Sequence, residues 1–367
     1  MQSQDLSKTI LADLIHDRLP PAEALKVLDH LTPASITPTD FETIIQLLQE
    51  TAISLPLLPK HLTANLMDCC GTGGSGMSVF NTSTATAFVL AAGGVPVIKF
   101  GNRAITSQSG SFDFLDVLGI ASQSPVDLIP HQLTETGLVF LYAPQCYPGL
   151  GPLQALRKQY AAKTVFNFVG PLLNPYYPPK RLLGVSDRRM ISLIARFLEK
   201  QSLKKLKNSE SPEVKTWIVH SATGSKAENN ESFIGLDEFS VFNEAAIYKI
   251  FGNSHSPRLE YAKFQDPDAV FQPTPFLKQF GFHAHASEKI QSLDPKDSAQ
   301  RFLEMIHGND QQTHEYNMLC LNAAAGFCIA GIQETMDEGF RLAASLLSSG
   351  AVLKKLNTVK QVLKKGL

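Results

Sequence analysis

The sequence predicts an α/β protein: a small N-terminal all-helical domain, residues 1–65, and a larger α/β domain, residues 66–367, with a central, mainly parallel sheet flanked by helices. Two observations carry this reading. From Leu6 to about Leu55 the apolar residues Leu6, Ile10, Leu11, Leu14 and Ile15, then Phe41, Ile44, Ile45 and Leu48, recur at three- and four-residue intervals, the period of a helix. Beyond that point, short apolar segments alternate with glycine or polar loops and helical stretches, as in a sheet with helical connections.

Within the helical region, Pro20-Pro21 precedes one helix and Thr37-Pro38-Thr39-Asp40 another, where side-chain oxygens can accept from the free amides of a first turn. Pro56 and Pro59 mark the exit, and helices near 150–180 are expected to pack back on this domain. Five segments read as strands: Leu66–Cys70, Val95–Phe100, Gly137–Tyr142, Lys163–Phe168 and Thr216–Val219. Lys204–Lys215 and Ser221–Glu231 are polar and read as surface loops. Met318–Ile332 is nearly apolar but too short to span a bilayer, so it reads as a buried helix. The five lysines between Lys354 and Lys365 read as a solvated helix face.

Composition narrows the function. At 367 residues with 44% hydrophobic content the chain can bury a sizeable core, and a formal charge of -1 gives no general field for a polyanion, so nucleic acid is not expected as a partner and phosphate binding requires a local site. The five cysteines (Cys69, Cys70, Cys146, Cys320, Cys328) are odd in number and none is spaced C-x-x-C, which argues against a disulfide framework or a zinc knuckle. The first twenty residues mix charges among apolar positions, unlike a signal peptide; with reduced thiols, this predicts a cytoplasmic protein without membrane attachment.

Three segments carry chemistry. GTGGSG, Gly71 to Gly76, lies between a strand candidate and an Ala-rich helix candidate beginning at Asn81-Thr82-Ser83-Thr84. Glycines let a backbone approach a phosphate closely, and the free amides and dipole of a helix start favour an anion. KFGNRAITSQSGS, Lys99 to Ser111, follows the next strand: Lys99 supplies a point charge, Arg103 a fork for phosphate oxygens, and Ser107, Ser109 and Ser111 further donors. Asp237-Glu238, in GLDEFS, forms an oxygen site for a hard cation. No dinucleotide fingerprint or Walker lysine accompanies the glycines, which counts against redox and ATPase readings.

GTGGSG, NTST, KFGNR, SQSGSFDFLDVLG, KTVFNFVGPLLNP, GLDEFS and LNAAAGFCIAG occur in the order seen in anthranilate phosphoribosyltransferases, so the chain from about Met67 onward resembles that family. The resemblance implies a homodimer of the nucleoside phosphorylase/phosphoribosyltransferase fold. It also implies magnesium-dependent transfer of the 5-phosphoribosyl group from phosphoribosyl pyrophosphate to anthranilate, a step of tryptophan biosynthesis. Carried over by motif, Gly71, Gly74, Ser75, Asn81, Thr82, Ser83, Thr84, Lys99, Gly101, Asn102, Arg103, Ser107 and Ser111 line the donor site. Ser83, Asp237 and Glu238 serve the metal, and Gly71, Asn102 and Arg157 the acceptor; no general base is assigned.

The chain departs from the family pattern at Ser75 for an aspartate, Val79 for a threonine, and Phe100 and Tyr147 for histidines. The last two change hydrogen bonding in the acceptor pocket while keeping stacking surface. A phosphoribosyltransferase with another aromatic acceptor is therefore an alternative, as is a non-catalytic paralogue that binds nucleic acid. A pyrimidine nucleoside phosphorylase of the same fold fits the FNFVGPLLNP and GLDE segments less well.

Overall fold

The computed structural model describes residues 5–75, 80–104, 109–120, 125–160, 162–206, 212–222, 233–252, 270–281, 293–309 and 313–365. The N-terminal helices are Lys8–Ile15, Pro21–His30 and Pro38–Glu50; Thr37 accepts from the Asp40 amide as expected, the helix after Pro20 starts with no side-chain cap, and Ser7 caps the first helix.

Seven strands follow in one sheet: β1 Met67–Gly71, β2 Val97–Gly101, β3 Leu138–Tyr142, β4 Lys180–Gly184, β5 Val214–Ser221, β6 Ala245–Gly252 and β7 Val270–Phe271. Their order is β3-β2-β1-β4-β5-β6-β7, parallel through β5, with β6 and β7 antiparallel at the edge. Chain order runs outward in both directions from the β1/β4 junction. Such a switch point opens a crevice at the carboxyl ends of the strands, where open α/β sheets bind ligands.

The sheet divides two cores by side-chain alternation. Val97, Leu138, Leu182, Trp217 and Val219 face one core, built with helices Thr82–Ala92, Pro295–Ile306, His314–Ala330 and Met336–Ser348. Ile98, Phe100, Val139, Leu141, Leu183 and Ile218 face the other, with the N-terminal helices, Gly151–Gln159 and Ile191–Leu206. The segment 146–173 thus packs with the N-terminal helices. His314–Ala330 is the buried helix expected around Met318. Among the described residues no helix is long and apolar enough to cross a membrane.

Three expectations need correction. Lys163–Phe168 is not a strand: the Val165 amide donates to Leu31 O at 2.8 Å and Val165–Asn167 forms a 3-10 turn, because this stretch is seated against the N-terminal helices. The strand beside β1 is β4, KRLLG, whose two cations hide it from an apolar-run criterion. They are tolerated because Lys180 donates to Ala330 O (2.7 Å) and Asn65 Oδ1 (2.9 Å), while Arg181 donates to Pro178 O and Gln201 Oε1.

Lys204–Lys215 is likewise not all loop. Helix Ile191–Leu206 runs into it and β5 starts at Val214, while 207–211 and most of Ser221–Glu231 lie outside the described residues. In the C-terminal helix Ala351–Lys365, Lys355 leaves the solvated face to donate to Thr136 O. All five cysteines are free thiols.

Phe302 is fully buried between Phe88 and Phe114, with ring centroids 5.5 and 5.7 Å away. Phe302→Ala is expected to lower the unfolding free energy by about 3–5 kcal/mol, measured by urea denaturation.

Candidate active site

The site begins where β1 and β4 end. Gly71 and Gly184 are register partners, and Asp237 lies across both. A Cβ on Gly184 would meet Asp237 O at 1.6 Å, and one on Gly71 would meet Asp237 Oδ2 at 2.0 Å. Only two strands ending in glycine leave room for that carboxylate at the switch point.

The strip around it is laced to the sheet: Gly235 N donates to Ser186 O (2.8 Å), Leu236 and Ser221 exchange backbone bonds at 2.9 and 3.0 Å, and Ser221 Oγ donates to Glu238 O at 2.6 Å. Asn322, from the buried helix, receives the Phe239 amide on Oδ1 and returns Nδ2 to Phe239 O, both at 3.1 Å.

The glycine loop is fixed onto this frame. Gly73 N donates to Asp237 Oδ2 at 2.7 Å, Ser186 Oγ to Gly73 O at 2.6 Å, and Thr72 Oγ1 accepts from Ser186 N at 3.0 Å. Gly73 and Gly74 are left-handed, at φ 67° and 73°, a conformation that suits glycine. Lys163, from another segment, donates to Gly74 O. Lys163 and Asn322 fall within the KTVFNFVGPLLNP and LNAAAGFCIAG segments but carry no role in the sequence reading, and Ser186 lies outside all such segments; the fold brings all three here.

Asn81 joins the two loops expected to bind phosphate. Its Oδ1 accepts from Ser109 Oγ at 2.7 Å, its Nδ2 donates to Gly110 O at 3.4 Å, and its amide donates to Ser298 Oγ at 2.9 Å. Helix Thr82–Ala92 then starts with no side-chain cap, leaving Ser83 at its exposed turn without a protein hydrogen bond to its amide or hydroxyl among the described residues.

One cavity of about 350 Å³ collects these groups. Of the residues expected at the donor site, Gly71, Gly74, Ser75, Asn81, Thr82, Ser83, Lys99, Gly101, Asn102, Arg103 and Ser111 line it, together with Asp237 and Glu238. Thr84 does not: it is buried within the helix, facing away from the cavity. Ser107 and Val79 lie outside the described residues.

The two cations of the second loop are both engaged. Lys99, expected as a point charge, is 2% exposed and donates to Cys69 O at 2.8 Å near the buried Asp68. Arg103 is engaged by Asp113, at 3.3 Å, and by Asp116, so its fork is already paired.

The acidic pair is desolvated. Burial pushes Asp237 up from the usual carboxylate range against the opposing Gly73 amide, and pushes Glu238 well above it, with Asp237 adding to the rise. Glu238 Oε1 is buried with no hydrogen-bond partner among the described residues. Two carboxylates short of compensating partners beside a free serine hydroxyl form the oxygen donor set of a hard divalent cation, so Ser83, Asp237 and Glu238 fit magnesium.

The far wall is apolar, formed by Leu48, Leu150, Leu153, Val169, Pro171 and Leu173, with Phe100 and Tyr147 meeting edge to face at 6.0 Å. The Tyr147 hydroxyl donates to Leu173 O at 2.6 Å, which turns that group away from the cavity and into the backbone. Arg157 lines this wall with its guanidinium 6.0 Å from the Phe166 ring and no ion pair or hydrogen bond among the described residues; burial pulls its pKa down. A planar, unpaired cation beside an aromatic face suits an aromatic carboxylate.

Residues 63–211 and 231–353 match the model of the glycosyl transferase family, a/b domain. The anthranilate phosphoribosyltransferase of Bacillus cereus is 31% identical over 345 residues, covering 94% of this chain and 89% of the relative. That of Syntrophomonas wolfei is 30% identical over 343 residues, covering 94% and 88%.

Among solved structures, the anthranilate phosphoribosyltransferase of Thermus thermophilus aligns with a TM-score of 0.75 at 25% identity over 98% of this chain and 97% of that one. The Saccharomyces cerevisiae enzyme, solved in complex with PRPP and Mg, aligns with a TM-score of 0.70 at 25% identity over 94% and 84%. The chain belongs to the anthranilate phosphoribosyltransferase family and is a glycosyltransferase.

Two outcomes are expected from this geometry. Gly184→Ala forces the Asp237 backbone to move and is expected to reduce turnover about 100-fold while the far-ultraviolet circular dichroism spectrum is retained. Buried His220, its Nδ1 2.7 Å from Val185 O, has its pKa lowered from 6.5 by burial. Below pH 6.5 the unfolded chain therefore takes up this proton before the folded one, and stability falls with pH by at most about 1.4 kcal/mol per unit until the folded pKa is reached. A His220→Asn variant measured by urea denaturation between about pH 5 and 7 should lack that component of the slope.

Proposed function

We propose that this protein transfers the 5-phosphoribosyl group from phosphoribosyl pyrophosphate to anthranilate, releasing pyrophosphate, with magnesium held by Ser83, Asp237 and Glu238. The observation that carries the proposal is a single cavity whose lining joins the glycine loop and two carboxylates with raised pKa to an apolar wall that carries the unpaired Arg157. An anionic, metal-bound donor and an aromatic carboxylate acceptor are the pair of ligands that this polarity suits. Magnesium, when bound, would supply positive charge to the pyrophosphate leaving group.

The chain's own residues do the rest. Glycine-loop amides and the start of helix Thr82–Ala92 hold phosphate oxygens, and the buried Lys99 adds positive potential beneath them. Arg157 fixes the acceptor carboxylate, and the apolar wall excludes water from the amine as it meets the ribose C1. An aryl amine can attack without prior loss of its proton, so no general base is assigned.

A second reading rests on Phe100 and Tyr147. With the Tyr147 hydroxyl committed to Leu173 O, Phe100 and Tyr147 offer ring surface and no donor, so the carboxylate clamp at Arg157 dominates recognition and other aromatic carboxylates compete with anthranilate.

The test is pyrophosphate release from phosphoribosyl pyrophosphate and magnesium, with and without anthranilate. Anthranilate-dependent release that Asp237→Ala/Glu238→Ala abolishes is the expected result; donor binding without release removes anthranilate as the acceptor and turns the search to other arenes. Arg157→Ala is expected to raise the acceptor KM roughly 10- to 100-fold, the loss of a charged hydrogen-bonded pair, and to leave the donor KM within about twofold.

A further inference from the structure

Three points of the glycine loop are held by the rest of the protein, and they are held by two separate stretches of the chain. Thr72 and Gly73 are fastened to Ser186 and Asp237, on the β4 side. Gly74 makes its hydrogen bond to Lys163 alone among the described residues. The Lys163 stem lies alongside it, since a Cβ on Gly74 would sit 3.7 Å from both Lys163 Cε and Nζ.

Lys163 itself is outside the cavity lining, whereas Gly74 and Ser75 are part of it. A trans peptide is planar, with its carbonyl and the following amide pointing in opposite directions. Holding the Gly74 carbonyl on Lys163 therefore aims the Ser75 amide away from Lys163.

The anchor is firm because the chain directly after Lys163 is itself pinned. Thr164 N donates to Asn167 Oδ1 at 3.0 Å and Val165 N to Leu31 O at 2.8 Å, seating this segment against the N-terminal helices. It then runs directly into Phe166, Asn167, Val169 and Gly170 of the acceptor wall. Burial lowers the Lys163 pKa, but Asp187 and Asp237 act in the opposite sense and favour the charged form.

We propose that Lys163 is a positioning residue for the donor: by holding the Gly74 carbonyl it sets the orientation of the glycine loop toward the pyrophosphate end of the substrate without touching the substrate itself. This rests on the donor-site reading above. It assigns the lysine just after the acceptor-side helix a role at the opposite end of the cavity.

The test is titration calorimetry of inorganic pyrophosphate with magnesium against wild type, Lys163→Met and Lys163→Arg, with the melting temperature of each. The Met variant keeps the stem and removes the donor, and is expected to bind about tenfold more weakly, the scale of one charge-assisted hydrogen bond; the Arg variant should stay within about threefold of wild type. In steady state the Met variant should raise the donor KM more than it lowers kcat.

Unchanged pyrophosphate affinity in the Met variant overturns the proposal. So does an Arg variant that melts like wild type yet binds as weakly as Met. If Lys163→Met melts well below wild type, hydrogen exchange of the peptide spanning 71–75 in Lys163→Gln decides: faster exchange confined to that peptide supports the proposal, and unchanged exchange overturns it. Failure of wild type to bind pyrophosphate at all removes the donor reading and this proposal with it.

Discussion

The constraint on which this molecule depends is the placement of one aspartate across the ends of two strands. β1 and β4 are neighbours in space but far apart in the chain, and both finish in glycine where Asp237 passes over them. That passage lets its carboxylate accept the Gly73 amide and places Glu238 beside the start of helix Thr82–Ala92. Remove the room for Asp237, and the glycine loop, the carboxylate pair and the helix start lose their common reference.

The electrostatic design has a matching cost. Asp237 and Glu238 are half-buried at the cavity with few partners, and desolvation raises both pKa values. Beneath them, Asp68, Lys99, Arg181 and Asn174 are also buried, but they are connected: Asn174 Nδ2 donates to Asp68 Oδ2 at 2.8 Å and to Ile98 O at 2.9 Å, and Lys99 is tied to the β1 backbone. The lower layer is cross-linked to the strands and holds them, while in the upper layer Glu238 Oε1 has no partner among the described residues. A protein interior tolerates that imbalance where binding corrects it.

Much of this is legible in the sequence, and the exceptions share a cause. The helical period before Leu55 and the glycine loop between β1 and helix Thr82–Ala92 are local signals, set by residues close in the chain, and the structure contains both. The motif-bearing residues converge on one cavity because the glycine loop and the Lys99–Arg103 segment lie at the carboxyl ends of β1 and β2, and the fold brings the start of helix Thr82–Ala92, the Asp237-Glu238 strip and helix Gly151–Gln159 to them. β4 escapes a reading of apolar runs because burial there is achieved by pairing Lys180 and Arg181 with distant carbonyls, which no local pattern reports. The apolar stretch at Lys163–Phe168 misleads for the converse reason: it is buried against helices rather than within a sheet. The roles of Ser186 and Asn322 arise only from tertiary contacts.

The aromatic pair Phe100 and Tyr147 carries one more consequence. Among the described residues no histidine lines the cavity, and at its apolar end Tyr147 is held protonated by burial while Arg157 keeps its charge throughout the physiological range. That end of the cavity is therefore proton-silent between about pH 5 and 8: it cannot be tuned by acidity, and whatever sensitivity to acid the site displays must enter from the carboxylate end. Where a histidine would tie that wall to the proton concentration around it, Phe100 and Tyr147 do not.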